Sequence, residues 1–163
     1  MSRELYERRH PHFPDKVWVV IEQPPHEPKR YRYVSERGEF FRTDDDSLAY
    51  LRGFSGAYGW IAGTGTPPGV HFDALVLTIA EPRPGEVVEA AVAGMFFMAS
   101  GDHKFVTVDV EAGETFGPPE WERLTPQSRA ELRALYPDVR DGEGWHGSGR
   151  AKFHLLEVEP THD

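Results

Sequence analysis

The stretch Lys16-Val-Trp-Val-Val-Ile-Glu22 is the first strongly apolar segment of the chain, and it decides the fold class. Its centre is β-branched and aromatic, and Pro24-Pro25 cannot continue a sheet ladder, so we predict a strand that ends there. A second stretch, Asp73-Ala-Leu-Val-Leu-Thr78, is almost entirely apolar, which is typical of a buried strand. Both stretches favour a domain built mainly from strands.

Further strand-like segments lie on either side of these two. Residues 29–34 alternate tyrosine and arginine, and residues 35–38 form a turn before a return strand at 39–42, which predicts a hairpin with a four-residue connection. The β-branched and aromatic content also predicts long strands over residues 86–98 and 103–110. Residues 152–158 are expected to form a last strand.

One substantial helix is predicted. Thr125 supplies a capping hydroxyl and Pro126 suits the first helical position, so the helix is expected to run to about Tyr136. Between the strands, the glycine-rich residues 47–72 predict a long ordered loop with one short strand. Five to seven short strands and one helix make the chain mainly β (α+β), with a closed or partly open barrel.

Composition excludes several classes of protein. The 163 residues include 27 acidic and 18 basic side chains, a net charge of −9, which argues against a nucleic-acid partner. The absence of cysteine excludes disulfides and thiolate metal sites. No apolar run is long enough for a membrane span, and the charged start does not resemble a signal peptide. We expect an irregular arm at residues 1–15, a single domain at 16–158 and a tail at 159–163.

Three carboxylates stand at strand edges beside turns: Glu22, Asp73 and Asp102. Carboxylates in such positions hold hard cations such as Mg²⁺, and Lys104 could meet a phosphate as a point charge. Ordinary surface carboxylates would give the same pattern. The acidic triplet at residues 44–46 is likewise open to two interpretations, a solvated loop or a cation site.

Seven short motifs between residues 16 and 146 match, in order and with similar spacing, the motifs of a known family, and such a series is hard to attribute to chance. They are Val17-Trp-Val-Val-Ile-Glu-Gln-Pro24, Arg30-Tyr31, Tyr58-Gly-Trp-Ile61, Asp73-Ala-Leu-Val-Leu-Thr78, Asp102-His-Lys104, the segment from Leu124 to Tyr136, and Glu143-Gly-Trp145. In these motifs the chain resembles the soluble family I inorganic pyrophosphatases.

The resemblance implies a distorted five-stranded barrel of the oligonucleotide/oligosaccharide-binding type with flanking helices. It also implies a cytoplasmic homo-oligomer, commonly a hexamer in bacteria, that hydrolyses diphosphate with Mg²⁺ ions. By the same resemblance, the catalytic residues are Asp73 and Tyr58. The residues implied to bind phosphate are Arg30, Lys104 and Tyr136. The implied metal ligands are Glu22, Asp73 and Asp102.

The chain departs from the family pattern at the metal ligands. Where the family has Asp-x-Asp-Pro-x-Asp, this sequence reads Pro68-Gly-Val-His-Phe-Asp73, so that only Asp73 survives. Neither Pro68 nor Val70 can ligate a cation through its side chain. A further metal Asp is expected shortly before Asp102, where the nearest candidate is Ser100.

Phosphate-binding cations and the terminus differ as well. Thr43-Asp-Asp-Asp46 stands where the family has an Arg, and Pro137 stands where it has a Lys. A strand-like tail is expected in place of the family's terminal helix. His71, His103 or the triplet at 44–46 would have to compensate for the missing ligands.

Three hypotheses follow from this mixture of match and departure. The first is a divergent family member without efficient Mg²⁺-dependent diphosphate hydrolysis, in which Mg²⁺ is weakly bound or absent. The second is an active diphosphatase or other phosphoanhydride hydrolase that uses another divalent metal at a remodelled one- or two-metal site. The third is a non-catalytic subunit or regulatory binding partner. Phosphate or diphosphate is the expected ligand class.

Overall fold

Strands make up most of the regular structure in the computed structural model, which describes residues 3–160. The strands are β1 (Lys16–Gln23), β2 (Lys29–Val34), β3 (Glu39–Asp46), β4 (Ala57–Ile61), β5 (Asp73–Leu77), β6 (Val87–Phe97), β7 (Lys104–Asp109) and β8 (Gly144–Gly147). The helices are α1 (Leu48–Leu51), α2 (Pro126–Leu135) and α3 (Ser148–Glu157). Short 3-10 turns cover Arg3–Glu7, Val110–Ala112 and Trp121–Arg123.

Five strands close into a barrel in the order β1-β4-β5-β7-β6, and the pairing of β6 with β1 completes the circle. The pairs are antiparallel except for β5 with β7, which run parallel. β8 extends the sheet beyond β6, while β2 and β3 form a separate hairpin. The predicted mainly-β fold with a five-stranded barrel and a four-residue hairpin turn is therefore confirmed.

Strand register places chemically important residues side by side. The parallel pairing aligns Asp73, at the start of β5, with Lys104, at the start of β7. On the other side of β5, β4 continues to β1, where Gln23 lies opposite Tyr58. The ends of four strands thus bring polar side chains to one rim of the barrel.

The packing of the barrel core explains why the sequences of β1 and β5 contain few polar residues. Val19 and Ile21 of β1 point into the barrel interior, whereas Val20 packs on the outside against an aromatic cluster that includes Tyr33 and Trp60. Every residue of β5 is buried. Strands that are buried on both faces read as continuous apolar runs, because neither face contacts water.

Helix α2 begins and ends close to where the sequence predicted. The Thr125 hydroxyl accepts the backbone N–H of Ser128 at 3.3 Å, and Pro126 is the first helical residue. Leu132 and Leu135 are buried against a cluster on the outer face of the barrel that includes Leu75 and Trp121. This packing fixes the position of Tyr136, which follows the helix.

The predicted strand at residues 152–158 is wrong, because the segment lies in helix α3. Ala151 and Leu155, four residues apart, are buried on one helical face, and this spacing outweighs the strand-like composition. The Glu120 carboxylate accepts the backbone N–H of Ser148 and so caps the first turn. The domain consequently has two ten-residue helices, where one main helix was expected.

Two segments that were not predicted as strands also pair in sheets. Residues 144–147 form β8 by pairing with β6, and the acidic triplet at 44–46 forms the end of β3. In the arm, Tyr6 is buried and its hydroxyl donates to the Gly85 carbonyl at 2.9 Å, so the described part of the arm packs on the barrel. None of the helices within residues 3–160 has the length and apolar character that crossing a bilayer requires.

Candidate functional site

A cavity of about 310 Å³ opens at the barrel rim, between the ends of the strands, α1 and the end of α2. Six of the seven predicted site residues line it: Glu22, Arg30, Tyr58, Asp102, Lys104 and Tyr136. The seventh, Asp73, is buried and hydrogen-bonds to Lys104 in the cavity wall. The structure therefore brings together the residues that were scattered over more than a hundred positions in the sequence.

Lys104 is the centre of this group. Its Nζ donates to Asp102 Oδ1 at 2.7 Å, to Asp73 Oδ2 at 2.8 Å and to the Tyr58 hydroxyl at 3.1 Å. An ammonium has three N–H groups, so these three contacts use all of them. Burial alone would lower the pKa of Lys104, but the nearby carboxylates raise it, which keeps the side chain charged.

His71 holds the other oxygen of Asp73. Its Nε2 lies 2.8 Å from Asp73 Oδ1, and its Nδ1 lies 2.7 Å from the carbonyl oxygen of Gly69. A carbonyl and an ionised carboxylate can only accept, so both ring nitrogens must carry protons. Burial acts to lower the pKa of His71, but the hydrogen bond to Asp73 outweighs it and raises the pKa. This arrangement favours the imidazolium form of His71.

Asp73 is ionised because both of its oxygens face a cation. Burial acts to raise the pKa of Asp73, but His71 and Lys104 together hold it well below the usual range for an aspartate. Tyr58 stays a neutral phenol, because burial and the negative charge of Asp73 raise its pKa well above the ordinary value. In the inner part of the site, the Asp73 carboxylate therefore lies between two cationic groups, His71 and Lys104, and is paired with both.

The other two carboxylates of the site are less readily ionised. Burial raises the pKa of Glu22, although its Oε2 accepts the backbone N–H of Tyr33 at 3.2 Å. Burial also raises the pKa of Asp102, and the neighbouring charge of Lys104 only partly offsets this. The negative charge of Asp73 raises the pKa of both carboxyl groups further, as expected where carboxylates lie close together.

Other residues in the cavity lining carry donors that are less engaged. Tyr136 stacks on Phe96 with ring centroids 5.2 Å apart, and its hydroxyl makes no hydrogen bond to any described residue. Burial raises the pKa of Tyr136 to about 12, so this hydroxyl is a donor at neutral pH. Arg30 is exposed and forms no ion pair within the described chain, although its charge acts on Glu22.

Sequence reasoning missed Arg52. It follows α1, lines the cavity and donates one N–H to the carbonyl of Leu135 at the end of α2. A cation was expected near residues 43–46, where the sequence is acidic instead, and Asp46 pairs with Lys29 at 2.9 Å. A signal was available, because Ser47 is a good N-cap and residues 48–52 lack glycine, so a helical turn could have been anticipated.

The donor set does not fit the cluster of Mg²⁺ ions that the resemblance implied. Within residues 3–160, no three His, Asp or Glu side chains converge on a point that could hold a metal ion. Pro68 and Val70 have exposed side chains, and the Ser100 hydroxyl accepts the backbone N–H of Asp102 at 3.3 Å. Mg²⁺ needs several oxygen ligands around it.

The two candidate histidines do not restore the ligand set. A metal ligand must be a neutral imidazole with an available nitrogen, and both nitrogens of His71 lie within hydrogen-bond distance of acceptors in the protein. The Nδ1 of His103 accepts the backbone N–H of Met98 at 2.9 Å, and the ring stacks on Phe97 rather than lining the cavity. The acidic triplet contributes only Asp46 to the lining.

Comparison with known proteins yields one family. The family model described as inorganic pyrophosphatase matches residues 19–145. The curated inorganic pyrophosphatase of Thermus thermophilus is 34% identical over 101 residues, which cover 60% of this chain and 57% of the relative. That of Gluconobacter oxydans is 35% identical over 98 residues, covering 58% of this chain and 56% of the relative. The matched part spans less than two thirds of either relative.

Solved structures share the fold. An inorganic pyrophosphatase from Neisseria gonorrhoeae aligns with a TM-score of 0.69 at 20% identity, covering 88% of both chains. The inorganic pyrophosphatase from Thermus thermophilus aligns with a TM-score of 0.66 at 22% identity, covering 91% of this chain and 92% of that one. Because the family model extends over most of the barrel and α2, the chain belongs to the inorganic pyrophosphatase family.

Proposed function

We propose that this protein is a divergent member of the inorganic pyrophosphatase family that lacks efficient Mg²⁺-dependent hydrolysis of diphosphate. In this proposal the rim cavity is retained as a binding site for phosphate-containing anions. Family membership and the barrel are the established part. The loss of efficient hydrolysis and the retained ligand class are the proposed part.

The observation that carries the proposal is the engagement of Asp73. Of the family's Asp-x-Asp-Pro-x-Asp pattern only this carboxylate remains, and a cationic side chain holds each of its oxygens: His71 one and Lys104 the other. Recruiting Asp73 to a metal ion would require breaking two charge-assisted hydrogen bonds inside the protein. The two internal cations supply the positive charge that metal ions would otherwise bring to this position.

Binding of a phosphate-containing anion is supported by the less engaged donors in the cavity lining. Arg30 and Arg52 carry permanent charge, and the Tyr136 hydroxyl is a neutral donor. Guanidinium groups match phosphate oxygens through paired N–H donors. Metal ions normally supply most of the charge stabilisation during phosphoryl transfer, so a site that keeps the arginines and loses the metal ligands binds better than it hydrolyses.

An activity assay tests the proposal. Release of phosphate from diphosphate is measured with Mg²⁺, Mn²⁺, Co²⁺ and Zn²⁺ in turn, with Asp73→Asn as the matched variant. We expect turnover with Mg²⁺ well below the median enzyme value of about 10 per second. A Mg²⁺-dependent turnover on the order of hundreds per second, abolished in Asp73→Asn, would overturn the proposal.

A remodelled metal site is the second candidate, and the pairing of His71 with Asp73 is the observation that favours it. If His71 lost its proton, the pair would offer one nitrogen and one oxygen ligand, which suits Mn²⁺, Co²⁺ or Zn²⁺ better than Mg²⁺. This candidate requires that hydrolysis occurs with a transition metal and that its rate rises with pH. Unchanged activity in Asp73→Asn and Asp102→Asn would exclude it.

The proposal includes the assembly and location that the family resemblance implied, a cytoplasmic homo-oligomer such as a hexamer. Exposed apolar side chains on α3 support an interface between copies, since Phe153 is 62% and Leu156 is 55% exposed. Light scattering coupled to size-exclusion chromatography would measure the assembly. A mass of one chain, 18.5 kDa, would contradict it.

A further inference from the structure

We infer that the rim cavity binds an organic phosphate monoester, a phosphoryl group attached to an apolar or aromatic body, in preference to inorganic phosphate or diphosphate. The inference rests on the proposed function, because it specifies the ligand class of the same anion-binding site. It comes from the unequal chemistry of the cavity lining. One part is charged and hydrogen-bonding, and the other part is apolar.

The apolar part is formed by α1 and its neighbours. Leu48 and Ala49 line the cavity from α1, and Met98 and Leu135 contribute from β6's end and from α2. Leu135 is buried, but Leu48 is 60% exposed and so stands at the rim with its side chain in water. An apolar ligand body that covers Leu48 would remove this surface from water, which is favourable.

The polar part offers donors that the protein does not use internally. Arg52 spends one of its five N–H groups on the Leu135 carbonyl, and the Tyr136 hydroxyl has no hydrogen-bond partner in the described chain. Arg30 lines the same cavity without an ion pair to any residue between 3 and 160. Two guanidinium groups and a hydroxyl are the donors that a phosphoryl group requires.

The carboxylates in the lining do not cancel this positive end. Asp46 pairs with Lys29 and Asp102 pairs with Lys104, so both are already neutralised. Glu22 remains, and its carboxylate lies within the influence of Arg30. One arginine is therefore in excess, which matches a singly or doubly charged monoester better than the higher charge of diphosphate.

Inorganic diphosphate is a poor match for the apolar part of this cavity. Its outer surface consists of charged oxygens, and burying these against Leu48 and Met98 without hydrogen bonds is unfavourable. The cavity volume of about 310 Å³ falls in the range that small organic ligands occupy, lined by apolar and aromatic side chains with a few polar groups. An organic monoester satisfies both parts at once.

Calorimetric titration in EDTA tests the inference, with phenyl phosphate, inorganic phosphate and diphosphate as probes and phenol as the uncharged control. We expect phenyl phosphate to bind about tenfold more tightly than either inorganic anion, and phenol to bind far more weakly. Arg52→Gln should weaken phenyl phosphate binding by about tenfold, whereas Arg83→Gln, an exposed arginine outside this cavity, should leave it unchanged.

A matched pair on α1 tests the apolar part. Leu48→Ser should weaken phenyl phosphate binding by about fivefold and leave inorganic phosphate unaffected. Leu51→Ser, equally exposed on the same helix but absent from the cavity lining, should change neither. Equal affinity for the three phosphate probes, no binding of any of them, or an equal loss of both ligands in Leu48→Ser would overturn the inference. Rapid Mg²⁺-dependent hydrolysis of diphosphate would instead overturn the proposed function, so the two failures are distinguishable.

Discussion

The two sides of the cavity differ in how their polar groups are occupied. On the strand side, which consists of β5, β7 and the loop before β5, Lys104, Asp73 and His71 satisfy one another. On the helix side, which consists of α1 and the end of α2, Arg52 and Tyr136 keep unused donors beside apolar surface. The polar groups of the strand side thus occupy one another, whereas donors on the helix side have no such partners among residues 3–160. Four variants would break or sharpen this contrast.

Replacing Lys104 should have the largest effect. Lys104→Met leaves Asp73 and Asp102 without their shared ammonium in a buried position, and removal of one partner of a buried ion pair costs about 3–5 kcal/mol of unfolding free energy. Urea denaturation measures the loss. Lys152→Met, which breaks an ion pair of 3.2 Å with Asp15 near the surface, is the control and should cost no more than about 1 kcal/mol. Equal losses in the two variants would show that the strand side is not a buried network.

Replacing His71 should cause the second-largest loss of stability, and the size of that loss should depend on pH. The folded pKa of His71 is raised, so its contribution to stability is fully present below the unfolded pKa of about 6.5 and is lost as pH rises through the folded value. His71→Gln should cost about 1.5–3 kcal/mol at pH 6 and progressively less at higher pH, because a charge-assisted hydrogen bond is removed. Thermal unfolding between pH 6 and 9 measures this. A pH-independent loss would contradict the imidazolium assignment.

His103 should make stability depend on pH in the opposite direction, with a smaller effect than that of His71. Burial and the charges of His154, Arg150 and Lys104 lower its pKa to about 4, so the folded protein holds it neutral. The unfolded chain then binds more protons below pH of about 6.5, and stability should fall as pH decreases towards 4.

His103→Asn keeps an acceptor for the Met98 N–H and removes the titration, so its melting temperature should fall less on acidification than that of the unaltered protein. His12→Asn, at an exposed histidine, is the control. If His103→Asn and the unaltered protein lose stability in parallel, another group controls the acid side.

Tyr136→Phe should have the smallest effect on stability and isolates the helix side. The stack on Phe96 is retained and no internal hydrogen bond is lost, so the unfolding free energy should change by less than about 0.5 kcal/mol. Binding of phenyl phosphate should weaken by about fivefold, because the ligand loses one donor. Tyr50→Phe, on α1 but outside the cavity lining, should alter neither quantity. A large stability loss in Tyr136→Phe would place its hydroxyl in the structural network instead.

Much of the fold could be predicted because its strongest segments carry their own signals. The β-branched run in β1 and the apolar run in β5 predicted strands, and Thr125 with Pro126 predicted the start of α2. The errors fall in segments whose secondary structure depends on the element that they pack against. The apolar residues of the α3 segment are spaced so that either a helix or a strand could bury them. Packing against the barrel favours the helix. Residues 144–147 became a strand because β6 supplied the hydrogen bonds.

The site was predictable as a set of residues but not as a chemical arrangement. Lys104 and Tyr136, which the resemblance named, line one cavity, and Asp73 accepts a hydrogen bond from Lys104 in its wall; their separation in the sequence does not reveal this proximity. It did not reveal that His71 and Lys104 hold both oxygens of Asp73, nor that Arg52 enters from α1. Those facts depend on distances of a few ångströms between segments far apart in the chain.

Residue type and local pattern in the sequence were sufficient to indicate the class of fold, and the resemblance to one family placed Pro68 and Val70 at positions where that family has carboxylates. Tertiary structure decided which charges meet. The parallel register of β5 and β7 puts Asp73 beside Lys104, and the Gly69 carbonyl with the Asp73 carboxylate fixes two protons on His71. Electrostatic energy depends on distance and burial, so the same residues hold a metal or neutralise one another according to where the backbone places them.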